Sequence, residues 1–209
     1  MSRDALSVEP DIVEGSEDLL LPRGWARASV LDLAGVDGLV VDGDWVETKD
    51  QDPDGGIRLV QLADIGEGVF RNRSSRYLTH ETAERLRCTF LSKGDVLIAR
   101  MAAPLGRACV FPGLRQPAVT AVDVCIWRAG PASGIDCRWL MHAINSPQAR
   151  ALILDEASGT TRQRISGAKL KHLRGSCKTF PMSRETLMVK TTNSSLLGHS
   201  ARSAKVEPG

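Results

Sequence analysis

The chain has 209 residues, 42% of them hydrophobic and 25% charged, with a formal net charge of +2. That is enough apolar material for a folded core of one domain or two small ones, and too little net charge to mark the whole chain as a polyanion binder or an acidic disordered segment. The five cysteines form no CxxC pair and have no histidine at ligand spacing, and no apolar run reaches the length of a membrane span. We therefore expect no metal site, no disulfide framework, no secretory leader and a cytoplasmic location.

Along the chain the charge is unevenly placed. Residues 1–21 carry one base against six acids, residues 32–54 one base against eight acids, and residues 55–174 carry 18 Lys and Arg against 9 Asp and Glu. A basic surplus confined to one part of a chain is the footprint of a nucleic-acid binder, with a merely solvated basic surface as the alternative.

In chain order, residues 1–20 are acidic and aperiodic and are expected to be a mobile leader. Ser29 to Ala34 before Gly35 has the pattern of a short helix with a glycine stop. The Asp-rich stretches 42–45 and 50–56 carry loop chemistry, without the ligand spacing of a calcium loop. Ile57 to Ile65 is expected to form a largely buried strand, with Gly66-Glu67-Gly68 turning into a second strand at Val69-Phe70. Arg71, Asn72, Arg73, Ser74, Ser75 and Arg76 then make a basic loop with no hydrophobe to bury. Thr79 is placed to cap a helix to about Leu86, with Glu81 in its first turn.

Further on, Lys93-Gly94-Asp95 is a turn, followed by a strand Val96–Arg100, a loop through Gly106, and a strand Arg107–Phe111. Arg100 and Arg107 flank that loop and are candidates for the phosphate backbone, or for ion pairs with Asp95 or Asp123. Ala118 to Trp127 is nearly continuous in apolar residues and predicts one central strand, in which Asp123 needs a partner because an unpaired buried carboxylate is costly. Asp136 predicts a helix to about Asn145, and Ser146-Pro147 a second helix to about Ala157. The histidines His142 and His172 have no nucleophile or acid arranged for catalysis.

The densest chemistry lies in Ala157 to Leu173. Gly159 suits a positive φ. Thr160 and Thr161 can donate to phosphate oxygens. Arg162, Gln163 and Arg164 carry the planar donors that match guanine, adenine or phosphate edges. Ser166 is a cap for a short helix whose first N–H groups can receive a phosphate, and Lys169 on that helix is a further candidate DNA contact. An ordinary helical corner with solvated arginines is the alternative.

Leu21-Pro22-Arg23-Gly24-Trp25, Lys93 to Arg100 with Leu105-Gly106-Arg107, Asn145-Ser146-Pro147 and Ser158 to Ser166 occur in the order found in type I restriction-modification specificity subunits. The stretch 21–173 resembles one target recognition domain of that family. The resemblance implies an α+β, strand-rich domain with short closing helices that reads one half of a bipartite site in double-stranded DNA. It also implies that methylation and cleavage, with the methyl donor, ATP and magnesium, belong to partner methyltransferase and restriction subunits. After Leu173 the resemblance ends. Residues 174–209 are Ser- and Thr-rich, expected to be disordered, and stand where the family continues into a long spacer helix. A truncated, assembly-defective remnant of such a subunit is therefore the alternative function.

No nucleotide-hydrolysis loop, dinucleotide fingerprint, hydrolase elbow, zinc-protease pair or amino-methyltransferase tetrapeptide occurs. The one enzymatic alternative is a magnesium-dependent nuclease using Asp37, Glu47 and Lys49, residues that lie in an acidic, loop-like region.

Overall fold

The computed structural model describes residues 25–101 and 103–178; the acidic leader 1–20 and residues 179–209 of the tail lie outside the described residues. The first strand, β1 (Trp25–Ser29), runs straight into α1 (Val30–Ala34). The junction is a capping box. Ser29 Oγ accepts from Asp32 N at 3.0 Å and Asp32 accepts from Ser29 N at 3.0 Å, so two orphan donors are satisfied reciprocally. Gly35, at φ 77°, stops the helix as predicted. The chain continues through β2 (Leu39–Asp42), β3 (Ile57–Val60), β4 (Arg76–Leu78) and α2 (His80–Arg85). It then forms β5 (Val96–Ala99), β6 (Ala108–Val110), β7 (Ala118–Thr120) and β8 (Val124–Arg128). Three helices, α3 (Cys137–Asn145), α4 (Pro147–Asp155) and α5 (Gly167–His172), precede β9 (Arg174–Lys178).

The centre is an antiparallel sheet in the order β2-β8-β5-β6. Strand alternation divides its side chains between two cores. Val96, Ile98, Cys125 and Trp127 face a core shared with α1, α3, α4 and α5, and Leu97, Ala99, Val124 and Ile126 face a second one shared with Val60, Ala118 and Phe111. A second sheet, β4-β3-β7, puts Ile57, Leu59, Leu78 and Val119 into a third core with Ala83 of α2. The architecture is α+β, with helices on one face of the central sheet and a smaller sheet on the other. Trp127, fully buried, donates its indole N–H to Val30 O at 3.1 Å and ties the central strand to α1. Asn145 closes the open edge of β6 by exchanging two hydrogen bonds with the backbone of Ala108, at 2.8 and 2.9 Å. Among the described residues no helix is long and apolar enough to cross a membrane.

Several predicted elements differ in extent. The expected strand 57–65 ends at Val60. Asp64, with no solvent exposure, accepts from Gln61 N at 2.8 Å and Ser74 N at 2.8 Å, which folds Leu62–Asp64 into a 3-10 turn. The strand expected at Val69-Phe70 is reduced to a single bridge between Ile65 and Phe70. The strand expected over 118–127 is two strands in different sheets, because β7 runs parallel to β3 while β8 enters the central sheet after the Ala121–Asp123 turn. The tail was expected to be disordered from Arg174. Its first five residues instead pair antiparallel with β1, in a register that matches Trp25 to Lys178 and Ser29 to Arg174.

Candidate nucleic-acid interface

The helix α4 delivers the stretch singled out in the sequence. Its N-terminus is fixed by Ser146, whose hydroxyl accepts from Ala149 N at 3.2 Å, with Pro147 at the first helical position. Beyond its end, Ser158 and Arg164 exchange backbone hydrogen bonds of 2.9 Å each, and Arg164 also bridges Met101. These contacts pinch off a loop in which Gly159, Thr160, Thr161, Arg162 and Gln163 are all exposed. Gly159 takes φ 95°, the conformation anticipated for it. Arg162 has no ion pair among the described residues, so its guanidinium stands free above the surface.

Arg164 differs from that expectation. Its side chain is 39% exposed and lies 3.1 Å from Asp123, which is the partner Asp123 needed, so Arg164 holds the base of the loop. Lys169 is also engaged. Its ammonium meets Glu156 Oε2 at 2.9 Å and Glu156 O at 3.1 Å, joining α5 to the end of α4. Ser166 caps α5 through Lys169 N at 3.2 Å, yet the helix start is not open to a phosphate: a Cβ on Gly167 would lie 2.3 Å from Asp42 Oδ2. A carboxylate of the protein already occupies that position.

The basic loop after Phe70 is the second exposed element. Arg71, Arg73 and Arg76 are exposed, Arg76 as the first residue of β4, and none has an ion pair among the described residues. Ser74 pins the loop from within by donating to Leu59 O at 3.1 Å and to Asp64. The loop between β5 and β6 lies between these two elements. Its Met101 bridges Arg164 on one flank, and its Ala103 and Pro104 line a hollow with Arg71 and Arg73 on the other.

Arg100 and Arg107, at the ends of that loop, are not available to phosphate. Arg100 is 2% exposed. It donates to Ile165 O at 3.2 Å and to Val122 O, with Nε in ion contact with Asp42 at 3.0 Å. That contact lacks hydrogen-bond alignment at Arg100 Nε. Arg107 is 8% exposed and donates to Ile65 O and Leu62 O, each at 2.8 Å. Burial holds its pKa below the usual arginine value, and Arg71 and Arg150 nearby push it the same way. Asp95 pairs with Arg128, whose Nε and Nη2 reach its two oxygens at 2.7 and 2.8 Å. Both flanking arginines therefore anchor backbone turns, a role that sequence spacing cannot tell from phosphate contact.

The carboxylates of the nuclease alternative flank β2 at its two ends. Asp37 precedes β2 and Glu47 follows its far end, while Lys49 pairs with Glu47 at 2.5 Å. Among the described residues no group of three or more His, Cys, Asp or Glu is placed to hold a metal ion.

No protein-family model and no curated protein matches the chain. Solved structures do. The HsdS subunit from Thermoanaerobacter tengcongensis aligns with a TM-score of 0.53 at 15% identity, over 87% of this chain and 41% of that one. A chain from a structure of the complex assembly and conformational transition of the type I R-M system aligns with a TM-score of 0.54 at 16% identity, over 84% of this chain and 40% of that one. The chain shares the fold of these structures. The chain spans about two-fifths of the length of the chains it matches.

Sequence reasoning passed over one exposed pair. Arg115 and Gln116, in the turn between β6 and β7, stand across a cleft from Asn72, Arg73 and Tyr77. The signal was present. Arg-Gln recurs from Arg162-Gln163, and here it is bounded by Pro112-Gly113 and Pro117, turn residues that keep the pair on the surface.

Proposed function

We propose that this target recognition domain binds double-stranded DNA sequence-specifically, as the specificity component of a type I restriction-modification system that reads one half of a bipartite site. The observation that carries the proposal is the row of three loops in which unpaired, exposed Arg162 and Gln163 stand on one side of the β5–β6 turn and Arg71 and Arg73 on the other. Arginine and glutamine can read guanine and adenine edges bidentately, and free arginines beside them can neutralise phosphates. Arg162 and Gln163 serve readout; Thr160, Thr161, Arg71, Arg73 and Arg76 serve positioning.

The domain supplies an address and no catalytic step. Methyltransferase and restriction subunits, carrying the methyl donor, ATP and magnesium, would act at the site it marks. That one of the similar chains belongs to a type I assembly supports this division of labour. The test is anisotropy of labelled duplex DNA across a salt series. The proposal predicts a log affinity that falls linearly with log salt, at about 0.9 per phosphate contact, and a shallower line for Arg71→Ala or Arg73→Ala. A salt-independent affinity, or lines that coincide for all variants, would contradict it.

A further inference from the structure

We propose that the cleft between Asn72–Tyr77 and Leu114–Gln116 seats a backbone phosphodiester of duplex DNA. This rests on the DNA-binding proposal above and adds Arg58, Arg115 and Gln116 to it. The floor of the cleft is Arg58 on β3, only 4% exposed. Its Nη2 donates to Asn72 Oδ1 at 3.0 Å, its Nη1 reaches the Tyr77 hydroxyl at 3.4 Å, and its Cζ lies 5.4 Å from the centre of the Tyr77 ring. The carboxylate facing it, Asp64, stays 3.6 Å away and already accepts from Gln61 N, Ser74 N and Ser74 Oγ. Arg58 Nε is buried and has no hydrogen-bond partner. The Arg58–Asp64 pair is neutral as a whole, so what the cleft floor leaves for a ligand is the unsatisfied Nε–H donor of Arg58.

Arg73 and Arg115 add two exposed guanidiniums at the rim, and neither has an ion pair among the described residues. With its carbonyl oxygen turned to Arg58, Asn72 keeps its amide donors for a ligand. Two features favour a polyanion over a single free ion. The cleft, about 510 Å³, is open and far larger than one phosphate needs. Arg73 also lines the adjoining hollow with Arg71, Pro104 and Glu67, the last paired with Arg150, so exposed positive charge extends past the cleft as far as Arg71.

Tyr77 is the single tyrosine of the chain, which makes it a reporter for this cleft. The experiment is NMR of the full chain labelled with 13C-tyrosine, titrated with short duplex DNA, with inorganic phosphate, and with sodium chloride of equal ionic strength. Duplex DNA should shift the ring signal. The Arg115→Ala variant should start from the same free position, shift less, and show a salt slope shallower by about 0.9 with an unchanged preferred sequence. Duplex binding seen by anisotropy with a silent Tyr77 would overturn the cleft and leave the DNA-binding proposal standing. Response to inorganic phosphate with no response to duplex would overturn the duplex assignment. A shift reproduced by sodium chloride would overturn the anion seat.

Discussion

Replacing Arg100 with alanine separates a structural arginine from a DNA-contacting one. The side chain is 2% exposed and donates to two backbone carbonyls, Ile165 O and Val122 O, in addition to its contact with Asp42. Hydrogen bonds from a charged donor contribute about 1.5–3 kcal/mol each, and truncation leaves both carbonyls without that donor. The ion contact adds less than either bond, since it lacks hydrogen-bond alignment and the Asp42 side chain as a whole is 36% exposed. Two such bonds at the low end give about 3 kcal/mol. With a urea m-value of about 2 kcal/mol/M, the midpoint should fall by about 1.5 M, read by circular dichroism. An unchanged midpoint together with a salt slope shallower by about 0.9 would refute the reasoning and return Arg100 to the phosphate backbone.

The exposed loop predicts the reverse behaviour. Arg162→Ala or Gln163→Ala should move the urea midpoint by less than about 0.5 kcal/mol equivalent, yet lose about 1–3 kcal/mol of discrimination between preferred and scrambled duplex, measured by competition binding. Gly43→Ala should destabilise by at least about 3 kcal/mol, because the added Cβ would fall 2.2 Å from Ala121 O and 2.7 Å from Thr120 O, whereas Gly134→Ala, facing open space at φ 65°, should cost about 1 kcal/mol. Denaturation of the two variants side by side checks this pair. Burial pushes the thiols of Cys88, Cys109 and Cys125 up to about 12, with Asp44 adding to the effect at Cys88. Since the thiolate is the reactive form, a variant with Cys137 and Cys177 replaced by serine should resist a thiol reagent at pH 8 until urea is added; rapid labelling of the native variant would contradict the burial.

Local signals carried much of the architecture into the sequence. Thr79, Asp136, Ser146 and Ser166 each cap the helix expected of them, because a cap needs only its own side chain and the next turn. What escaped depends on distant partners. A continuous apolar run cannot tell one buried strand from two that enter different sheets, and β7 and β8 part only because β3 and β5 lie in separate layers. Strand β9 exists through its pairing with β1, nearly the whole domain away in sequence. Within the candidate interface, the exposure of Arg71, Arg73 and Arg76 was legible from the absence of a hydrophobe among them, and that of Arg162 and Gln163 from the run of polar residues after Gly159. The burial of Arg100 and Arg107 was not, since both depend on backbone carbonyls contributed by other segments.

The most direct test of the central claim is selection of purified protein on a random duplex DNA pool, repeated with Arg162→Ala. Sequence-specific readout predicts enrichment of one motif a few base pairs long, lost or altered in the variant while salt-dependent binding persists. Recovery of an unenriched pool by the wild-type protein, or the same motif from both proteins, would contradict it.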